Sequence, residues 1–325
     1  MLGAILAFAS AAFFGLNNAT VRRGVLKTTV LQGMAITVPL GIPIFAIFAW
    51  VMGGYTAMAT WSYTTYFWMV SAGVVHFVIG RYGNYRATQS LGATLSTPVQ
   101  QLSILISLAL ALIFLNETVN YLNLFGIALV LFGPVVVVRR KGKTGQSKSK
   151  SDFVPDYGAG FIWGFVCAIG YGASPLMITL GLGQGGTMAD GAAGVLVSYI
   201  AASLVVVVLV LANGGKAYMR GVDAGSSKWY VISAIFVALS QMFRYLALTV
   251  APVSVVVPVQ RLSVVFRLIF NALINRDFEV FDRWVIGSIL VSILGVIALS
   301  MDSTLLLTSL GFYAKWVKLL ATPLF

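Results

Sequence analysis

Pro98-Val99-Gln100-Gln101-Leu102-Ser103 and Pro258-Val259-Gln260-Arg261-Leu262-Ser263 share five of six residues at a spacing of 160. The likeness extends outward at the same spacing, pairing Tyr85 with Tyr245, Ala87 with Ala247 and Glu117 with Asp277. A weaker register lays Gly15 and Gly24 over Gly172 and Gly181. A period of this length means two related halves.

The surrounding composition says what the halves are made of. The 325 residues are 59% hydrophobic and 9% charged, whereas a soluble domain carries about a quarter charged residues. Ten apolar runs can be marked, roughly 3–21, 30–52, 66–88, 91–115, 121–138, 158–181, 191–212, 229–250, 253–275 and 284–301. Most reach the ~20 residues that a bilayer crossing needs. The expected fold is therefore an all-α membrane protein of ten transmembrane helices in a 5+5 inverted repeat. The repeat is inverted because an odd number of spans per half inserts the halves in opposite directions. The expected division is 1–138 for the first repeat, 139–157 for a basic linker, 158–301 for the second repeat and 302–325 for an amphipathic tail. In that tail Lys315 and Lys318 share a helical face beside Trp316, a pattern for a helix lying in the membrane interface.

Charge placement gives the orientation. Of 21 basic residues, 14 fall in the loops after spans one, five, seven and nine, and the loops after spans two, four, six and eight hold none. The positive-inside rule puts the basic loops in the cytoplasm and both termini outside, as in a protein of the bacterial inner membrane. The net charge of +12 is then mostly a record of topology, and no basic soluble module is available to bind nucleic acid. Arg22 and Arg23 follow the first run rather than preceding it, so this run reads as a retained helix, not a cleaved signal. A single cysteine, Cys167, and a single histidine, His76, exclude a disulfide framework and a Cys/His metal cluster, and no cofactor is expected.

Candidate functional residues lie at helical spacing inside the runs. Gln260, Ser263, Arg267 and Asn271 share a face in span nine, and Gln100, Ser103 and Ser107 take matching places in span four. Span three offers Arg81 and Asn84, span eight Gln241 and Arg244, span one Ser10 and Asn17, and span six Tyr171 and Ser174. Single polar residues of this kind commonly serve helix packing; the symmetry of the stripe is what packing alone does not explain. Five arginines, Arg81, Arg86, Arg244, Arg261 and Arg267, fall inside runs, while all nine acids fall in loops or at span ends. A mid-membrane arginine costs at least ~2.5–3.5 kcal/mol, and the guanidinium fork fits carboxylate and phosphate oxygens. An anionic substrate would supply the missing charge. The same lack of an in-span acid argues against exchange of organic cations for protons. His76 is the candidate for carrying a proton, since imidazole changes charge near neutrality. Pro98, Pro175 and Pro258 are candidate hinges.

These features, with the acidic turn Leu115-Asn116-Glu117-Thr118 after span four, resemble EamA-type transporters of the drug/metabolite transporter superfamily. The resemblance implies a central cavity lined by spans one, three, four, six, eight and nine and opened alternately to each side. The chain departs from that pattern in its orientation, because members commonly keep both termini in the cytoplasm and basic residues between spans two and three, whereas Met52–Thr65 carries no charge here. The expected function is a secondary transporter of a small organic anion, a carboxylate or phosphorylated metabolite. A carrier of neutral or zwitterionic metabolites such as amino acids and a flippase for phosphate-headed lipids are the alternatives. Paired catalytic carboxylates and a nucleophile–base set are missing from the inventory, so an enzyme is not expected.

Overall fold

The computed structural model describes residues 2–114, 120–139, 154–183, 186–251, 256, 259–260, 262–278, 283–300 and 303–322. These residues form helices joined by short connections, with no strand among them. The first half runs α1 (Leu2–Gly24), α2 (Val30–Thr37), α3 (Gly41–Val51), α4 (Gly54–Ala59), α5 (Tyr63–Gly73), a π-helical segment (Val74–Gly80), α6 (Arg81–Gln100), α7 (Ser103–Phe114) and α8 (Tyr121–Arg139). The second half runs α9 (Tyr157–Leu182), α10 (Met188–Ala212), α11 (Lys216–Met219), α12 (Ala224–Val250), α13 (Ser263–Ile274) and α14 (Arg283–Ser300). The tail forms α15 (Ser303–Ser309) and α16 (Ala314–Ala321). Most of the linker at 139–157, with Glu117, Pro258 and Arg261, lies outside the described residues.

Six helical stretches among the described residues are long and apolar enough to cross a membrane: Leu2–Gly24, Val30–Val51, Tyr63–Phe114, Tyr157–Leu182, Met188–Ala212 and Ala224–Val250. Tyr121–Phe132, Ser263–Ile274 and Arg283–Gly295 are shorter apolar helices. The stretch Tyr63–Phe114 has 52 residues, which as one straight helix would measure about 78 Å against a hydrocarbon core of ~30 Å. It is broken at Gly92, whose φ of 82° and ψ of 165° lie outside the range of side-chain-bearing residues. A second pause falls at Gln101–Leu102, just after Pro98. The expected run 30–52 is also interrupted: α2 stops at Thr37 and α3 starts at Gly41. Pro39, in between, has no N–H to continue a helix, and Pro43 sits in the first turn of α3, where none is needed.

Three acids among the described residues are placed at helix starts. Asp156 accepts from Ala159 N at 3.1 Å, and Asp223 from Ser226 N at 3.2 Å. Asp190 closes a capping box with Thr187 at the head of α10. Carboxylates suit the positive end of a helix, and the bonds from Ser226 hold the Asp223 carboxyl below its ordinary range.

Glycine and serine let the helices approach closely. α1 runs antiparallel to α12, with Gly3 against Ala251, Ser10 against Ser240 and Asn17 against Ser233. Its Gly15 lies against Phe266 of α13. α9 packs on α6 and α7 in the same way: Gly160 meets Leu91, Gly164 meets Val99, and Gly172 meets Ser103 and Ile106. Gly126 of α8 meets Gly295 of α14. Between these layers sits an apolar core that includes Met34, Phe45, Met69, Phe77 and Ile178. Four fully buried tyrosines in it bond across helices: Tyr85 to Thr37, Tyr230 with Thr28, Tyr245 to Ser198, and Tyr199 from Arg81.

A side chain at Gly170 would place its Cβ 2.6–2.8 Å from backbone atoms of Gly80 and Val75. Gly170→Val is therefore expected to destabilise the protein by about 1–3 kcal/mol. Gly287, with nothing within 4 Å of its added Cβ, should accept alanine with no loss and up to about 1 kcal/mol of gain. Thermal unfolding of the two purified variants in detergent checks the contrast.

Candidate functional site

The π-helical segment Val74–Gly80 and the helices α1, α9, α12 and α13 enclose a cavity of about 60 Å³, room for a few water molecules. His76, Tyr171, Pro175, Gln241, Arg244, Gln260 and Ser263 of the expected site line it, together with Ser10, Ala11, Phe14 and Ser240. Six of the seven expected residues come from spans six, eight and nine, and His76 from span three. Segments with π-type bonding recur at functional sites, and here one carries the only histidine into the cavity wall.

Arg244 is the arginine of this wall, and it meets Ser174, Gln241 and His76. Its Nη2 donates to Ser174 Oγ at 3.0 Å, and its Nη1 to Gln241 Oε1 at 3.3 Å. Nη1 also stands 3.3 Å from both Nδ1 and Nε2 of His76. Ser174 Oγ is 2.7 Å from His76 Nδ1, so one hydroxyl touches both cationic candidates. The imidazole stacks on Tyr171 with ring centres 4.4 Å apart and planes 26° from parallel. Asn84 supports Tyr171 from behind, donating to its Oη at 3.3 Å and to Asn18 Oδ1 at 3.1 Å. On the opposite wall Gln260 donates to Ser10 Oγ at 3.2 Å, and Ser10 exchanges bonds with Ser240. No Asp or Glu lines this cavity, and among the described residues none is buried.

Other expected residues fall elsewhere. Arg267 joins a second cluster, donating to Gln100 Oε1 at 2.7 Å, to Ser96 Oγ at 2.9 Å and to Thr88 Oγ1 at 3.3 Å. Asn271 lies one turn on and accepts from Asn275, which also donates to Ala19 O. Arg81 donates to Tyr199 Oη at 2.6 Å, with the Tyr199 and Phe77 rings 5.3 and 5.1 Å from its guanidinium carbon. Asn17 accepts from Ser233, and the Ser103 carbonyl borders Gly172, so both serve helix contacts. Arg86 is half-buried and holds Gln89. Pro98 lies inside α6 and Pro175 inside α9, where it borders the cavity.

Two participants escape a reading of the sequence. Arg22 counts there as a loop charge, yet it is fully buried and donates to the carbonyls of Thr88 and Gln89. Its neighbour Arg23 donates to Ile274 O. Tyr199 is one of 13 tyrosines, and nothing in its sequence surroundings marks it as the partner of Arg81.

Residues 1–139 match the EamA-like transporter family, in keeping with the drug/metabolite transporter superfamily. A solved structure titled only "Crystal structure of protein" is similar over 91% of this chain and 94% of its own, at 12% identity and a TM-score of 0.59; it supports the fold alone. No curated protein matches the sequence. The apolar helices and the family match together indicate a multi-pass membrane protein and point to a transporter rather than an enzyme.

Tyr199→Phe removes the hydroxyl that accepts from the buried Arg81. The variant should lose about 1–3 kcal/mol of stability, the cost of an unsatisfied buried donor, as read from its thermal midpoint beside that of the parent.

Proposed function

Starting from a first half that matches EamA-like transporters, we propose that the protein is a secondary transporter of a small organic anion, a carboxylate or a phosphorylated metabolite. The observation that carries this reading is Arg244: a buried guanidinium on a cavity wall, facing Ser174, Gln241 and His76 and no carboxylate. A buried charge is strongly disfavoured without a counter-charge, and an anion entering the cavity provides one. Gln260, Ser263, Ser10 and Ser240 then offer hydrogen bonds to the rest of the solute, and Phe14 and Tyr171 an apolar flank.

Alternating access fits two features. The first is the repeat. Gly15 against Phe266 and Gly172 against Ile106 join repeat-related positions, which supports an inverted 5+5 arrangement around the cavity. The second is a latch on the side bearing the basic loops. Arg22 holds the α6 carbonyls of Thr88 and Gln89, Asn275 holds Ala19, and Arg267 ties α13 to Gln100. With only about 60 Å³ of space, the cavity must widen to admit a metabolite, and release of such a latch would widen it from that side. In this reading both termini lie outside the cytoplasm, in a bacterial inner membrane, with α16 along the interface.

Arg244→Gln keeps a hydrogen-bonding side chain but removes the charge. Loss of charge-assisted hydrogen bonds worth about 1.5–3 kcal/mol corresponds to roughly 10- to 100-fold weaker anion binding, with Arg244→Lys intermediate. Uptake by proteoliposomes of a panel of carboxylates and phosphorylated metabolites measures it, and unchanged affinity in Arg244→Gln would sink the anion site. A C-terminal reporter that matures only in the cytoplasm should stay silent.

A further inference from the structure

The contact between His76 and Arg244 has a consequence for what travels with the solute. His76 is buried, and its surroundings set its charge. Ser174 Oγ accepts from Arg244 Nη2 and lies 2.7 Å from His76 Nδ1. In the neutral imidazole protonated at Nε2, the single hydrogen of Ser174 is donated to Nδ1, which accepts it. Arg244 Nη1, 3.3 Å from both ring nitrogens, opposes a second positive charge at contact range. Around this segment Tyr171 stacks on the imidazole from α9, Arg81 on α6 donates to Tyr199 on α10, and the buried residues of α5 are Met69, Ala72 and Gly73.

We propose that His76 is a proton site coupled to the anion site, so that one proton enters with each anion held at Arg244 and both are released on the far side. This rests on the anion reading above. A negative charge against Arg244 offsets its positive charge, and an imidazolium beside it becomes acceptable. The proton passes from water on the loading side to Nδ1. The Ser174 hydroxyl, which has two lone pairs, then accepts from both Nδ1 and Arg244 and turns its own hydrogen to the anion. On the releasing side the anion leaves, the repulsion returns, and the proton goes back to water. Coupling between two bound species is reciprocal, so protonation must also strengthen anion binding. For a monoanion the charge of the site is the same loaded and empty, so the loaded site is no harder to carry through an apolar bundle than the empty one.

His76 is the only histidine in the chain, so selective 15N-histidine labelling yields a single imidazole signal. Purified protein in detergent is titrated with acetate, lactate, pyruvate and glycerol phosphate. Binding is followed by calorimetry in buffers of different ionisation enthalpy between pH 6 and pH 8, the range in which imidazole changes charge. For an anion that binds, we expect uptake of about one proton, affinity rising up to about tenfold per unit fall in pH, and a shift of the 15N signal to the imidazolium position. His76→Gln should take up no proton with acetate, lactate or pyruvate, which stay ionised across this range, and bind them with an affinity flat in pH. An imidazole that stays neutral when the anion is bound, or proton uptake with these carboxylates that persists in His76→Gln, overturns the coupling and leaves the anion site standing. If no member of the panel binds, or Arg244→Gln binds as well as the parent, the anion reading falls and the coupling falls with it.

Discussion

Buried positive charge without buried negative charge is the constraint on which the interior depends. Arg22, Arg81, Arg244 and Arg267 are buried, while no Asp or Glu among the described residues is. Each guanidinium is solvated by fixed dipoles: carbonyls around Arg22, a tyrosine hydroxyl and two ring faces around Arg81, and serine, threonine and glutamine oxygens around Arg244 and Arg267. Buried polar networks of this kind are costly when incomplete and specific when complete. They fix the register of α1, α6, α12 and α13 more sharply than interchangeable Leu, Val and Ala contacts in an apolar surrounding could.

Three of the acids among the described residues are used at helix starts. Asp156, Asp190 and Asp223 each cap a helix, where the backbone N–H groups and the positive end of the dipole favour a carboxylate. Small residues complete the scheme. Where Gly15, Gly83, Gly164, Gly170 and Gly172 lie against neighbouring helices, backbones come close enough for side chains to bond across them, as Ser10 does with Ser240 and Ser107 with the Gly172 carbonyl. Phe14, Tyr171 and His76 put three rings on the cavity wall beside Ser10 and Ser240.

Much of this was open to a linear reading. The apolar runs predicted where long helices lie, and the in-span position of Arg244 without an in-span acid made it a candidate, one that the structure places on a cavity wall. The repeat brought Gln241, Gln260 and Ser263 into the same candidate set, and all three reach the cavity wall. The reading failed where a residue's meaning depends on its partner. Arg22 and Arg23 look alike at the end of a run, yet Arg22 is fully buried. Arg267 shares a helical face with Ser263 but reaches Thr88, Ser96 and Gln100 instead of the cavity.

The sequence by itself determined the membrane character, the helical class, the likeness of residues 98–103 to 258–263 and the excess of basic over acidic residues, because each follows from composition and pattern along one chain. Tertiary structure alone decided which arginine faces the cavity, that His76 stacks on Tyr171 beside Arg244, and that the helix around it takes π-type bonding. Those outcomes depend on groups far apart in sequence. His76, Tyr171 and Arg244 meet only when α9 and α12 close on the first half, and helical periodicity gives a face without naming what that face will touch.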